Sequence, residues 1–230
     1  KKTFAIDERD ALGTNIRLDS RGRQVLRVLP RVNDDVNEEW ASDKTRHHVD
    51  GLVRQRIDKP WVRKGGKLVE ASWDEAFTAI AKAVKSAKGS IACVAGDMVD
   101  CETMYAAREL VTSLGGTMFE GRQTGLAYDV SNLAAVNFNS TIAGVETADV
   151  ILLVGTNLRW EAPLINTRIR KAVKKGAKVF VIGPQHDLTY KVTWLGNDAG
   201  LLGKLPKDVV EAFQGAARPL MIVGGGVLAK

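Results

Sequence analysis

Five consecutive apolar residues, Val150-Ile151-Leu152-Leu153-Val154, run straight into Gly155. A strand with no polar position has no face to give to water, so both of its faces must be covered, as in the interior of a parallel sheet. The next segment, Pro163 to Lys175, is amphipathic and stops at Gly176, and Lys178-Val179-Phe180-Val181-Ile182 is a second apolar run. Strand, helix and strand in this order predict a βαβ unit and a mostly parallel sheet with right-handed crossovers.

Upstream, Ser72-Trp73-Asp74-Glu75 carries a helix-start signal, a serine that accepts an amide bond and a glutamate three residues on that reaches back. Phe77, Ile80, Ala81 and Val84 then share one helical face, which is expected to pack on a strand from Ser90 to Ala95. Asp100 caps a second helix with a stripe of Met104, Ala107, Val111 and Leu114, closed by Gly115-Gly116. The stretch from Gln123 to Asn139 reads as helical in its second half. Nearer the start, Asn15-Ile16-Arg17-Leu18-Asp19 alternates with period two. A turn at Ser20-Arg21-Gly22-Arg23 follows, then Val25 to Pro30, which together spell a β-hairpin. Residues 32–56 are polar and read as loop and short helix.

The expected fold class is therefore α/β, a small antiparallel β-rich N-terminal module followed by a doubly wound, mostly parallel sheet. In chain order the segments are 1–65, a small β-rich module; 66–200, a Rossmann-like α/β domain; and 201–230, the start of a further α/β unit. The last is announced by Pro219-Leu220-Met221-Ile222-Val223 and Gly224-Gly225-Gly226. Both ends of the chain read as truncated, with no initiator Met, signal-peptide core or cleavage pattern before Lys1.

Composition removes several function classes. With 45% hydrophobic and 26% charged residues the chain suits a globular protein with a real core. Its apolar runs fall short of the roughly 20 residues a bilayer-spanning helix needs. Two cysteines, Cys93 and Cys101, are too few for a disulfide framework or for the four thiolates of an iron-sulfur cluster, and His47, His48 and His186 are scattered. Cys93 reads as a small buried side chain; Cys101 starts a helix without a neighbouring histidine to make it a nucleophile. The net charge of +6 raises the question of an acidic partner, but acids interrupt the basic residues and no nucleic-acid motif appears, so a docking surface or solvated face is the better reading.

Chemistry in an open parallel sheet sits beyond the carboxyl ends of the strands, where helix N-termini present unpaired N–H groups. Gly155-Thr156-Asn157 and Gly183-Pro184-Gln185 occupy that position. Their amides could hold a phosphate-bearing ligand; equally, glycine there serves a tight turn. No G-x-G-x-x-G follows a strand, and no Ser, Cys or His stands in a triad context. Asp34-Asp35 and Glu38-Glu39 read as solvated surface. The five tryptophans, Trp40, Trp61, Trp73, Trp160 and Trp194, are expected to serve packing. The expected catalytic and metal residues are none.

An ordered series of motifs then spans nearly the whole chain. It runs through Asn37-Glu38-Glu39-Trp40, Ser42-Asp43-Lys44-Thr45-Arg46, Asp50-Gly51-Leu52, Arg54-Gln55-Arg56, Lys59-Pro60-Trp61-Val62-Arg63 and Ser72-Trp73-Asp74-Glu75-Ala76. It continues with Thr141-Ile142-Ala143-Gly144-Val145-Glu146, Ala148-Asp149, Val154-Gly155-Thr156-Asn157, Glu161-Ala162-Pro163 and Arg168-Ile169-Arg170. The series resembles the large iron-sulfur subunit of respiratory NADH:quinone oxidoreductase (complex I), a branch of the molybdopterin oxidoreductase superfamily with a formate dehydrogenase-like fold.

The resemblance also locates departures. Where active superfamily members begin with a cysteine cluster for a [4Fe-4S] centre, Leu12-Gly13-Thr14-Asn15-Ile16 has no cysteine, and Ser42 stands near the place of a further one. Gln123 stands near the position that ligates molybdenum, and an amide is a poor metal donor. Gly155, Thr156 and Asn157 match a motif that contacts the pterin dinucleotide, and are taken as a vestigial cofactor site. The resemblance implies a structural, cofactor-free domain, with the parent's [2Fe-2S] and [4Fe-4S] clusters upstream of Lys1. The implied partners are other peripheral-arm subunits of complex I, without nucleic acid or direct membrane insertion. The implied location is the cytoplasmic face of a bacterial inner membrane or the mitochondrial matrix side. Two alternatives stay open: a molybdopterin-dinucleotide-binding oxidoreductase fragment, and an independent nucleotide-binding module.

Overall fold

A computed structural model describes residues 1–96, 98–121, 131–132 and 136–228. Gln123 lies outside the described residues, as does most of the segment from Gln123 to Asn139, with its expected helix. The chain divides into two compact units, Lys1–Asp50 with Leu126–Lys230, and Gly51–Gly125. This spatial division differs from the segments 1–65, 66–200 and 201–230 read along the sequence.

In the larger unit, β1 (Lys2–Ile6), β2 (Asn15–Arg21) and β3 (Gln24–Pro30) form an antiparallel sheet in the order β1-β2-β3. The hairpin β2–β3 follows the alternation in the sequence, and its inward residues Ile16 and Val28 pack with Val49. The strand β1 had no comparable signal. A short helix α1 (Asp43–His47), capped by the Ser42 hydroxyl, and a 3-10 turn over His48–Val53 follow the hairpin.

The second sheet is wholly parallel. Its strands are β8 (Val150–Val154), β9 (Lys178–Ile182), β10 (Thr193–Gly196) and β11 (Pro219–Val223), in the order β10-β9-β8-β11. All five residues of β8 are buried. Successive side chains of a strand point to opposite faces, so β8 feeds two cores. Ile151 and Leu153 join Ile165, Ile169 and Ala172 of a helix over Pro163–Lys174, while Val150, Leu152 and Val154 join Val209 and Phe213 of a helix over Lys207–Gln214. Each fully buried aliphatic side chain contributes roughly 1.5–3 kcal/mol, so the strand ends that carry the glycine turns are anchored in the best-packed part of the chain. The strand β11 pairs in register with β8, Pro219 opposite Val150 through Val223 opposite Val154, so this segment completes the same sheet.

The smaller unit holds a hairpin of β4 (Trp61–Lys64) and β5 (Lys67–Glu70), the helix α2 (Trp73–Ala87), a parallel pair β6 (Ala92–Val94) and β7 (Met118–Glu120), and the helix α3 (Cys101–Ser113). Gly65 and Gly66 turn the hairpin at φ of 58° and 81°, the left-handed pair a two-residue hairpin loop requires. The capping box of α2 is present in both directions between Ser72 and Glu75. The stripe of α2 does not find the cover expected for it, however. Phe77 and Ile80 are exposed, and among the described residues the short strand Ala92–Val94 pairs only with β7. Cys93 is half-buried rather than fully buried, and Cys101 is exposed at the first turn of α3.

Four of the five tryptophans, Trp40, Trp61, Trp73 and Trp160, are at least half exposed, so the packing role expected of them holds only for Trp194, which lies against the main core. Glu38 is also not solvated surface, since it pairs with Lys171.

Candidate functional site

The helix over Pro163–Lys174 is preceded by one turn of helix over Leu158–Glu161, and these are labelled α5 and α4 respectively. Glu161 of α4 and the loops after β8 and β9 bound a cavity of about 350 Å³ at the carboxyl ends of the parallel strands. Gly155, Thr156 and Asn157 all line it, so the structure brings the three sequence-predicted residues to one place. Gly183 and Pro184 of the second predicted turn line it too. So do Glu161, His186, Gly226 and Val227, to which the sequence reading gave no role there.

The turn at Gly155 is explained by close backbone packing. Its φ is +59°, and a Cβ built there would meet Val227 Cγ1 at 2.6 Å and the Val227 backbone nitrogen at 2.9 Å. The Gly155 N–H donates to the Ile182 carbonyl at 2.8 Å, and its own carbonyl accepts from the Gly226 N–H at 3.0 Å. The chain itself therefore requires glycine at this position.

The next two residues are engaged by one side chain. The Thr156 hydroxyl donates to one carboxylate oxygen of Glu161 at 2.9 Å, and the Asn157 N–H donates to the other at 2.7 Å. Glu161 stands four residues after Asn157, so a carboxylate one turn into α4 reaches back to the turn that starts it. The spacing Thr-Asn-x-x-x-Glu was the signal available for this contact, but it reads as ordinary helix-start chemistry until the strand end is known to face a cavity.

Among the described residues, two buried polar atoms of the lining have no protein partner, Asn157 Oδ1 and His186 Nε2. The His186 ring is oriented by two neighbours. Its Nδ1 lies 2.8 Å from the Pro184 carbonyl, and it meets the Trp194 ring edge-on at 5.3 Å. A carbonyl only accepts, so Nδ1 carries a proton and donates to it.

A second polar cluster ties α5 to the loop before it in space. Arg168, 3% exposed, donates to Glu146 at 2.9 Å and to the carbonyls of Asp34 and Val36 at 2.8 and 3.1 Å. Lys171 bonds Glu38 and Glu146. Burial alone would lower its pKa, but the two carboxylates outweigh that and hold it above the ordinary lysine value. The segment matched above to a cluster-binding stretch is held by oxygen instead. Asp10 accepts from the Leu12 and Gly13 amides and the Thr14 hydroxyl, and Asp7 from the Thr45 hydroxyl at 2.5 Å. Among the described residues no group of three His, Cys, Asp or Glu is placed to hold a metal ion.

Residues 56–230 match the family model described as molybdopterin oxidoreductase. The chain belongs to the molybdopterin oxidoreductase family. Residues 1–50 match a second model, described as the NADH-ubiquinone oxidoreductase NDSU1/NuoG-like 4Fe-4S domain, although these 50 residues include no cysteine and so supply no thiolate. Among curated family relatives, an NADH-quinone oxidoreductase subunit from Rickettsia felis is 46% identical over 100% of this chain and 35% of its own length. The mitochondrial NADH-ubiquinone oxidoreductase 78 kDa subunit of Candida albicans is 45% identical over 99% of this chain and 32% of its own length. The mitochondrial NADH dehydrogenase [ubiquinone] iron-sulfur protein 1 of Solanum tuberosum is 40% identical over 99% and 32% respectively. The chain thus spans about a third of the length of the relatives it matches.

Proposed function

We propose that this chain is a structural, cofactor-free domain of the large iron-sulfur subunit of a respiratory NADH:quinone oxidoreductase, built on a doubly wound sheet of the molybdopterin oxidoreductase type. The observation that carries the reading is the similarity over at least 99% of the chain to subunits of that enzyme from a bacterium and from mitochondria. On this reading the parent polypeptide takes part in moving electrons from NADH toward quinone through [2Fe-2S] and [4Fe-4S] clusters bound outside these residues. The absence of any cysteine from residues 1–50 agrees with that division of labour.

Gly155, Thr156 and Asn157 are then a vestigial cofactor loop, maintained by the contacts of Gly155 with Val227 and of Thr156 and Asn157 with Glu161. The partners are other peripheral-arm subunits of the complex, on the cytoplasmic face of a bacterial inner membrane or the matrix side of a mitochondrial one. Among the described residues no helix is long and apolar enough to cross a membrane.

The test is to tag the parent polypeptide in its source cells and purify it from detergent-solubilised membranes. NADH:quinone reductase activity is expected to co-elute with the tag. A tagged polypeptide that elutes alone, with the activity in other fractions, contradicts the assignment.

A further inference from the structure

We infer that Glu161, an exposed residue whose carboxylate lines the strand-end cavity, closes that cavity to phosphate groups. The inference rests on the cofactor-free reading and supplies a physical cause for it. A pterin dinucleotide carries a diphosphate, and diphosphates are held at the carboxyl ends of parallel strands by free N–H groups and hydroxyls. Here five such donors are already engaged. The Asn157 amide and the Thr156 hydroxyl bond the two Glu161 oxygens at 2.7 and 2.9 Å. The amides of Gly155, Gly183 and Gly226 donate to the carbonyls of Ile182, Gly196 and Gly155 at 2.8, 2.8 and 3.0 Å.

Among the described residues, one buried and unpartnered atom of the lining points the same way: Asn157 Oδ1 is an amide oxygen, which only accepts. Phosphate oxygens are acceptors as well, and a fixed carboxylate beside them adds like-charge repulsion. The residues of this cavity therefore do not fit a diphosphate-bearing cofactor, and Glu161 is the group that sets the mismatch. A role limited to capping the single turn α4 predicts only that its removal loosens the turn. The plug predicts a gain of anion affinity.

The experiment titrates inorganic pyrophosphate, and separately ADP, into the full chain by isothermal calorimetry, comparing native protein with Glu161→Ala and the near-isosteric Glu161→Gln. Circular dichroism establishes that each variant is folded, and Glu161→Gln decides the matter should the alanine variant not fold. The native chain is expected to give a flat trace, and the variants to bind pyrophosphate at least about tenfold more tightly. Folded variants that bind no better than the native chain overturn the inference, as does native binding equal to theirs. Pterin found on the native chain as purified would overturn the cofactor-free reading instead, and the pyrophosphate titrations would still judge Glu161 separately.

Discussion

Gly155 is held by its surroundings on every side, and the consequence can be measured. Alanine at this position meets the Val227 side chain and backbone at 2.6 and 2.9 Å and must adopt a φ of +59°. Gly155→Ala is therefore expected to destabilise the chain by at least about 2 kcal/mol, read as a shifted urea midpoint; an unchanged midpoint would mean that the turn relaxes freely. Arg168 makes a different case. It is buried against Glu146 and two carbonyls, so Arg168→Ala takes a charged donor from all three acceptors and leaves Lys171 as the cation on Glu146. The expected loss is at least about 2 kcal/mol, and a loss below about 1 kcal/mol would place the pair in water. Sequence reading found Gly155, Thr156 and Asn157 because turn glycines after apolar runs are visible in one dimension. It gave Glu161 and His186 no role in the cavity, since what matters is which polar atoms the cavity leaves unmatched.

The elements that were most legible are those whose local and tertiary signals agree. The strand Val150–Val154, the helix ending before Gly176, the strand Lys178–Ile182 and the capping box at Ser72 are all present as expected. The strands β1, β10 and β11 were missed or misassigned because edge pairing is decided by neighbours distant in sequence. The α2 cap offers a direct check. Ser72→Ala removes one amide partner and is expected to cost about 1 kcal/mol. Glu75 is the other half of the box. The Ser72 amide and the Lys64 ammonium, 2.9 Å away, hold its carboxyl below the ordinary value of 4.5. A depressed folded pKa gives stability that is present above the ordinary value and lost as pH falls through the folded one. The stability gap between native protein and Glu75→Gln is thus expected to be constant above about pH 5 and to close on acidification; a gap independent of pH down to 2 would remove the charge from the account.

Across the whole molecule the buried apolar side chains are unevenly placed. Among the described residues of Gly51–Gly125 only Ala76 and Val111 are buried hydrophobics, whereas the parallel sheet of the larger unit is filled on both faces. Hydrogen exchange is expected to be slowest at the amides of β8 and β9 and much faster in α2 and α3. Uniform protection across the chain would contradict this ordering. On the proposed reading, the same filled sheet holds the strand-end cavity in shape while Glu161 occupies donors there, so that a cofactor fold persists as architecture.

The central claim is that this architecture carries no cofactor of its own, and the pterin and molybdenum content of the chain tests it most directly. Expressed in cells that synthesise the molybdopterin cofactor, then purified and oxidised, the protein is expected to release no fluorescent pterin and to contain no molybdenum above trace. One equivalent of either per chain would contradict the account.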